Sequence, residues 1–330
     1  MEDTTRMIRK IAVAALAGYA LCHSAAASYA GISSTEHRLG GYRLINPLLE
    51  CEPEESKFKL LLPFQYKLEK LIAQKSMKKA TLISVYFRDL NNGPWFGIKE
   101  DENFSPASLL KVPLMMGYFH AAEDNPEILT RMIRFEKSVD LNQSELIKPS
   151  VRMENGKLYT VDNLIYRMIV YSDNDAANLL IENTSLELFT ETYRALGIEV
   201  PGVRQAVDFM TVREYASFFR ILFNASYLSK KYSEKALDYL SQVQFKDGLA
   251  AGVPHNVTVA HKFGERRLIR DEDSSQVSIQ LHDCGIVYFP NHPYLLCVMT
   301  RGNDISELSD VIKNVSRFVF DETERQMKSQ

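Results

Sequence analysis

The chain has no excess of positive charge, because 39 lysines and arginines face 42 aspartates and glutamates, for a net charge of −3. This balance gives no reason to expect nucleic acid or an anionic membrane surface as a partner. Internal repeats, heptads and low-complexity tracts are also absent. With 45% apolar and 25% charged residues, the composition is that of an ordinary globular protein with a sizeable core, in one large domain or two small ones.

Cysteine is scarce, and the four residues match no spacing typical of a zinc or redox site. No metal or organic cofactor is therefore implied. Cys22 lies in an N-terminal apolar run. Its removal with that segment would leave three cysteines, which cannot all pair within the chain. Cys284 and Cys297 lie in apolar, strand-like segments, and we interpret them as small buried hydrophobes. The sequence supports no disulfide framework.

The N-terminus is typical of an export signal. A positively charged stretch at residues 6–10 precedes an apolar run from Ile11 to Cys22, and Ala25-Ala26-Ala27 offers a cleavage site. An uncleaved membrane anchor is the alternative, because weakly apolar sequence continues to Ala30. Both interpretations predict an exported protein, with membrane attachment through residues 11–30 in the second.

Three regions follow from this pattern. Residues 1–30 form the signal peptide or anchor, residues 31–57 are predicted to be a linker rich in Gly, Ser, Pro and Glu, and residues 58–330 form the folded domain. Apolar periodicity predicts helices and strands along that domain. The predicted helices cover residues 59–75, 161–170, 186–196, 211–223, 234–240 and 305–320. Thr160 can cap the helix that begins at residue 161. The predicted strands cover residues 81–86, 95–98, 257–263, 276–289 and 294–301. Hairpin-type connections favour an α+β fold, an antiparallel sheet flanked by the N- and C-terminal helices plus an all-helical lobe.

Ser-x-x-Lys occurs three times, but only one copy lies in an apolar segment. Ser108-Leu109-Leu110-Lys111 is predicted to open a core helix, with Ser108 and Lys111 on one face. A serine hydroxyl needs a base within hydrogen-bond reach to act as a nucleophile, and a buried lysine of lowered pKa can be that base. A helix-cap serine with a snorkelling lysine is the alternative.

Two further motifs follow in order. Ser172-Asp173-Asn174 is the only such triplet in the chain and lies between two predicted helices. These residue types also favour helix N-caps, so a simple cap is the alternative. His261-Lys262-Phe263-Gly264 ends a predicted strand, and a strand end meeting a turn is the corresponding alternative.

Together the three motifs resemble those of the serine β-lactamase and penicillin-binding protein superfamily, most closely its class A branch. The resemblance covers residues 59 to 320 and makes 58–330 the catalytic domain. It implies a β-lactamase/transpeptidase-like fold, a monomeric serine hydrolase without a cofactor, and a β-lactam or a cell-wall peptide as substrate.

The resemblance also implies a role for each matching residue. Ser108 would be the acylated nucleophile and Lys111 its base or proton relay. Ser172 would pass a proton toward the leaving nitrogen. Asn174 would hold Lys111 and the side-chain amide of the substrate. Lys262 would attract the substrate carboxylate and help to lower the pKa of Lys111.

Gly264 and Glu265 complete the implied substrate-binding set, and the backbone N–H of Glu265 would join that of the nucleophile in an oxyanion hole. Two departures from the class A pattern stand out. Phe263 replaces a hydroxyl residue that would donate to the substrate carboxylate. The E-x-x-L-N loop of the deacylating glutamate has no match, and Glu199 and Asp208 are the only carboxylates between Gly197 and Thr211.

Without a positioned base for the attacking water, an acyl-enzyme would be long-lived. The sequence therefore leaves three hypotheses open. The first is a class A-like β-lactamase. The second is a D-alanyl-D-alanine-type carboxypeptidase that uses the same residues, and the third is a slowly deacylating β-lactam-binding protein.

Overall fold

The structure is a computed structural model that describes residues 33–38, 41–54, 58–74, 77, 79–91, 93–136, 139–195, 198, 207–269 and 277–328. The predicted export signal and Glu199 lie outside these residues. Within them, no helix combines the length and the apolar character that crossing a membrane requires. The α+β prediction is confirmed, since helices and one antiparallel sheet share the same core.

The described helices and strands follow the predicted order. The α-helices are Phe58–Ile72 (α1), Lys111–Asp124 (α2), Val161–Val170 (α3), Asn174–Glu182 (α4), Leu186–Ala195 (α5), Val212–Asn224 (α6), Lys230–Ser241 (α7) and Ile305–Lys328 (α8). The strands are Ser33–Arg38 (β1), Leu48–Glu54 (β2), Ala80–Asp89 (β3), Trp95–Ile98 (β4), Asn103–Phe104 (β5), Met132–Arg134 (β6), Leu158–Thr160 (β7), Met210–Thr211 (β8), Val259–Ile269 (β9), Val277–Val287 (β10) and Tyr294–Gly302 (β11).

The main sheet has five strands in the order β4-β3-β11-β10-β9, each antiparallel to its neighbours. The terminal helices α1 and α8 contact each other, and α8 lies on β10 and β11. Helix α6 contacts the same two strands and also α7, so it connects the sheet to the helical lobe. Strand β9, which carries the third motif, is an edge strand of the sheet.

Local sequence signals explain where the lobe helices begin. The hydroxyl of Thr160 accepts a hydrogen bond from the backbone of Asn163, which confirms the predicted cap of α3. Asp173 caps α4 by accepting from two backbone N–H groups of its first turn. Thr211 and Glu214 form a reciprocal capping box at the start of α6. Each cap fixes the residue at which its helix begins. The cap at Asp173 starts α4 within the second motif.

The structure corrects the interpretation of two cysteines. Cys284 and Cys297 are buried, as predicted, but they lie directly opposite each other on β10 and β11 and form a disulfide. Strand register brings them together, and their spacing in the sequence carries no sign of it.

The segment predicted to be a linker has structure of its own. Strands β1 and β2 pair as an antiparallel ladder. Between them, Leu44 and Ile45 are buried in the core, and their backbone N–H groups donate to the carboxylate of Glu234 on α7. The backbone N–H of Asn46 donates to the carbonyl of Phe223. Residues 44–46 are therefore docked onto the helical lobe.

Candidate active site

The first motif adopts a different local structure from the one predicted. Ser108 lies in a 3₁₀ turn, Ala107–Leu110, and α2 begins only at Lys111. Ala107 has a φ of 47°, a left-handed conformation that is rare and strained for a residue with a side chain. This bend turns the chain sharply before the serine. Ser108 is half-buried at the end of a core helix.

Side chains from β9 and β10 hold the approach to this turn. The backbone N–H of Ser105 donates to Oε1 of Gln280 at 2.9 Å. Nε2 of His282 lies 3.0 Å from the carbonyl oxygen of Ser105, and Arg266 donates to the hydroxyl of Ser105 at 3.2 Å. Burial lowers the pKa of His282 to about 3, so its ring is neutral and its Nε2–H is the donor. The turn that presents the serine is thus fastened to the sheet.

The second motif brings its serine between the two motif lysines. Nζ of Lys111 donates to the carbonyl oxygen of Ser172 at 2.6 Å and approaches its hydroxyl oxygen at 3.3 Å. Nζ of Lys262 donates to the same hydroxyl oxygen at 2.9 Å. Ser172 has a φ of 57°, so it is a second strained residue. Among the described residues, no hydrogen bond joins Lys111 to the hydroxyl of Ser108.

Burial perturbs both lysines. It lowers the pKa of Lys111 to about 8, against the opposing effect of the carboxylates of Glu145 and Asp173. It lowers the pKa of Lys262 well below the usual range, and the neighbouring Lys111 cation lowers it further. A neutral amine, which proton transfer requires, is therefore accessible near neutral pH.

Asn174 links the second motif to a loop that the sequence did not single out. Its Oδ1 accepts from Nζ of Lys111 at 2.5 Å, and its Nδ2 donates to Oε1 of Glu145 at 2.9 Å. Asn142 fixes the backbone around it, because its Oδ1 accepts from the N–H of Asn174 and its Nδ2 donates to Asp173. Asn142 and Glu145 belong to a polar loop whose composition alone carries no signal of a site.

The third motif lies against the nucleophile turn. A Cβ added at Gly264 would lie 2.9 Å from the carbonyl oxygen of Pro106 and 3.1 Å from the backbone N of Leu109. Only a glycine lets β9 approach this closely. Glu265 is next in the strand, and its side chain crosses the cleft, where Oε1 accepts from the N–H of Ile147 at 2.6 Å. Burial raises the pKa of Glu265, and the nearby Glu145 carboxylate adds to this.

A cavity of about 810 Å³ opens where these motifs meet. A volume of this size fits a small molecule or a short peptide segment. The lining residues are Ala107, Ser108, Leu110, Lys111, Leu114, Leu141, Ser144, Glu145, Asn174, Ala177, Asn178, Ile181, Glu265, Arg266 and Arg267. Within the described part of the chain, no group of three or more histidine, cysteine, aspartate or glutamate side chains could hold a metal ion.

Two side chains differ from the expected pattern in ways that the structure explains. Phe263 is buried against Phe245, with ring centroids 4.5 Å apart, and Nζ of Lys262 lies 4.1 Å from its ring centroid. Phe263 is therefore a packing residue of the core. Asp208 accepts hydrogen bonds from Arg301 at 2.7 Å and from Gln280 at 3.0 Å, so both of its carboxylate oxygens are engaged away from the cavity.

Comparison with known proteins gives three results. A family model described as "Beta-lactamase enzyme family" matches residues 63–323. A search of curated protein sequences finds no significant match. Among solved structures, PBP-A is similar with a TM-score of 0.65 and 22% identity over 80% of this chain and 97% of that one.

Two class A β-lactamase structures are similar to the same degree. One, from Mycobacterium abscessus, has a TM-score of 0.64 and 20% identity over 78% of this chain and 98% of that one. The other is a variant of the last common ancestor of Gram-negative bacteria β-lactamases, with a TM-score of 0.64 and 25% identity over 79% of this chain and 99% of that one.

Proposed function

Because this chain belongs to the β-lactamase enzyme family, we propose that it is a serine hydrolase that opens β-lactam amides through an acyl-enzyme on Ser108. The observation that carries the proposal is that the hydroxyl of Ser172 lies between Lys111 and Lys262, and that Lys111 lines the same cavity as Ser108. An isolated helix cap would not need two buried lysines at one hydroxyl, because burying charged groups is costly.

Acylation follows from this arrangement. Lys111 in its neutral form takes the proton of the Ser108 hydroxyl as the oxygen attacks the amide carbonyl. The backbone N–H groups of Ser108 and Glu265 stabilise the oxyanion. Ser172 then delivers a proton to the departing nitrogen and recovers one from a neighbouring lysine. The C–N bond breaks and an ester on Ser108 remains.

Substrate recognition uses the remaining motif residues. Lys262 attracts the substrate carboxylate, and Asn174 donates to the carbonyl of the side-chain amide. Gly264 lets β9 lie close enough for its outer edge to flank the ligand. The phenyl ring of Phe263 supplies no hydroxyl donor, so the carboxylate is held with one fewer hydrogen bond than a threonine would give.

A peptidase or a slowly deacylating binder is the second candidate. It is favoured by the absence, in this sequence, of an E-x-x-L-N match, which leaves water activation without its usual carboxylate. A structure of the PBP-A L158E mutant is an acyl-enzyme complex with penicillin G. In this candidate the same Ser108 ester forms from a cell-wall peptide ending in D-alanyl-D-alanine.

Intact mass spectrometry after mixing with a penicillin tests the proposal. We expect an adduct of one penicillin mass on Ser108 that clears while the penicillin is consumed. A matched control is Ser105→Ala, which removes a nearby serine hydroxyl. Ser108→Ala should abolish the adduct, and an adduct on that variant would refute the site. A persistent adduct together with turnover of a D-alanyl-D-alanine peptide would favour the peptidase.

We also propose that the mature protein is an exported monomer. The charged and apolar N-terminal sequence supports export, and the disulfide between Cys284 and Cys297 is of a kind that persists in oxidising compartments. Cell fractionation with N-terminal sequencing tests the location and the cleavage. Light scattering after size-exclusion chromatography tests the oligomeric state.

A further inference from the structure

Hydrolysis of an acyl-enzyme needs a base for the attacking water, and the sequence motif for that base is missing. Among the described residues that line the cavity, the carboxyl side chains are those of Glu145 and Glu265. Asp208 is engaged by Arg301 and Gln280 outside the cavity, and Asp173 is fully buried as the cap of α4. The choice of base within the described cavity therefore lies between two glutamates.

Glu265 is unsuited to the task. Its side chain is 8% exposed, and its Oε1 is committed to the backbone N–H of Ile147 at 2.6 Å. Burial raises the pKa of its carboxyl, which favours the protonated form. The charge of the neighbouring Glu145 carboxylate adds to this rise in the pKa of Glu265. Glu265 is therefore set aside because it is buried and because its Oε1 is already engaged by Ile147.

Glu145 has the opposite properties. Its Oε1 accepts a hydrogen bond from Nδ2 of Asn174 at 2.9 Å, and its side chain lines the cavity. Through Asn174 it is one hydrogen bond removed from Nζ of Lys111, which lies 2.5 Å from Oδ1 of that residue. Its negative charge acts on both Lys111 and Lys262, which places it beside the catalytic cations. A carboxylate oriented by a hydrogen-bond donor and facing the cavity is what a general base requires.

We propose that Glu145 is the general base that activates the deacylating water, a role that rests on the proposed function. The carboxylate takes one proton from a water molecule in the cavity as the water oxygen bonds to the ester carbon. The tetrahedral intermediate then collapses and the bond from carbon to the Ser108 oxygen breaks. That oxygen takes a proton from the Lys111 ammonium, and Glu145 releases its proton to the solvent.

The E-x-x-L-N motif would place the deacylating glutamate after Ser172 in the sequence. Glu145 instead comes before Ser172, from the loop between β6 and β7. In the proposed function Asn174 donates to the substrate's side-chain amide, and the same Nδ2 donates to Glu145. A substrate with a bulky side-chain amide therefore competes for this donor. Hydrolysis should be fastest for acyl groups that leave Glu145 in contact with water.

The test compares acylation and deacylation of Glu145→Gln by rapid mixing with a penicillin and intact mass detection. We expect the Ser108 adduct to form, but its clearance to slow by about 10²–10⁴-fold, the usual contribution of a general base. Retained acylation shows that the variant is folded. Glu154→Gln is the matched control, because Glu154 lies in the same loop but pairs with Lys157 at the surface. Its clearance rate should equal that of the unchanged protein.

A further readout separates a base from a structural residue. Hydroxylamine, a strong nucleophile that needs little help from a base, should clear the trapped adduct. If Glu145→Gln fails to acylate, Glu145→Asp is measured instead, and it should acylate but clear slowly, because its shorter side chain holds the carboxylate away from the water.

Several results would overturn the proposal. Clearance in Glu145→Gln at the unchanged rate would do so, as would trapping by Glu199→Gln with normal clearance in Glu145→Gln. An adduct on the unchanged protein that never clears would leave Ser108 as the nucleophile but would show that Glu145 activates no water. If the unchanged protein forms no adduct at all, the proposed function fails first.

Discussion

Acylation of Ser108 should follow the ionisation of Lys111, because only the neutral amine can accept the proton of the serine. Burial lowers the pKa of Lys111 from 10.5 to about 8. At pH 7 roughly a tenth of the amine is then neutral, against about 0.03% for an ordinary lysine. The buried position thus raises the reactive fraction by about 300-fold.

A stopped-flow measurement of the acylation rate between pH 6 and 10 checks this expectation. Saturating penicillin is used, so that binding of the substrate carboxylate by Lys262 does not shape the profile. The rate should rise about tenfold per pH unit below the midpoint and level off above about pH 8.

Substitution at the neighbouring carboxylate gives the sharper test. The charge of Glu145 raises the pKa of Lys111, so Glu145→Gln should move the midpoint of the profile to lower pH. Acylation at pH 7 should therefore become faster, by at most about tenfold, since the neutral fraction cannot exceed one. A flat profile, a midpoint near that of a free lysine, or a shift to higher pH in the variant would each refute Lys111 as the base.

Three further substitutions test the surrounding structure. Gly264→Ala should slow acylation by about 10- to 100-fold, because its Cβ would lie 2.9 Å from the carbonyl oxygen of Pro106; unchanged rates would show that β9 need not lie so close. Phe263→Ala should lower the free energy of unfolding in urea by about 3–5 kcal/mol, since the ring is buried against Phe245, and a cost below about 1 kcal/mol would contradict that packing. Glu265 has a raised pKa, so its contribution to stability is full below pH 4.5 and lost as the pH rises through its folded value; Glu265→Gln should therefore melt higher than the unchanged protein at pH 7 but not at pH 4.

Local signals predicted most of the fold. Apolar periodicity predicted at least one end of α1, α3, α6 and α8 to within a few residues. For α8 it predicted an end at Phe320, earlier than the structure shows. The cap at Thr160 was read from residue type alone. The resemblance to the β-lactamase superfamily is confirmed by the family match over residues 63–323. Helix periodicity and capping depend on neighbours within one or two turns, which is why a single sequence carries them.

Features that depend on distant parts of the chain could not be predicted. Strand register alone places Cys284 opposite Cys297, and no spacing rule encodes it. Glu145 reaches Asn174 from a loop without a motif. Ser108 was predicted to open an α-helix, but the left-handed Ala107 and the close approach of β9 hold it in a 3₁₀ turn. Each of these outcomes is decided by tertiary contacts.

The left-handed conformation of Ser172 has a different cause from that of a turn residue. With a φ of 57°, its carbonyl oxygen and hydroxyl both face lysines, and Lys111 binds both atoms while Lys262 binds the hydroxyl. A left-handed residue with a side chain costs roughly 1–2 kcal/mol. The hydrogen bonds from two buried lysines offset that cost, so the strain is retained at a residue of the proposed active site.

Replacing Ser172 by glycine and by alanine separates strain from chemistry. Both variants lack the hydroxyl, so both should lose acylation to the same extent. Glycine adopts a positive φ without strain. Its greater freedom in the unfolded chain, however, lowers the free energy of unfolding by roughly 0.5–1 kcal/mol relative to alanine. Ser172→Gly should therefore be more stable than Ser172→Ala by up to about 1 kcal/mol in urea unfolding. If alanine proves equal to or more stable than glycine, the left-handed backbone is not a source of strain. If the two variants differ in acylation, the backbone of Ser172 contributes to the reaction beyond its hydroxyl.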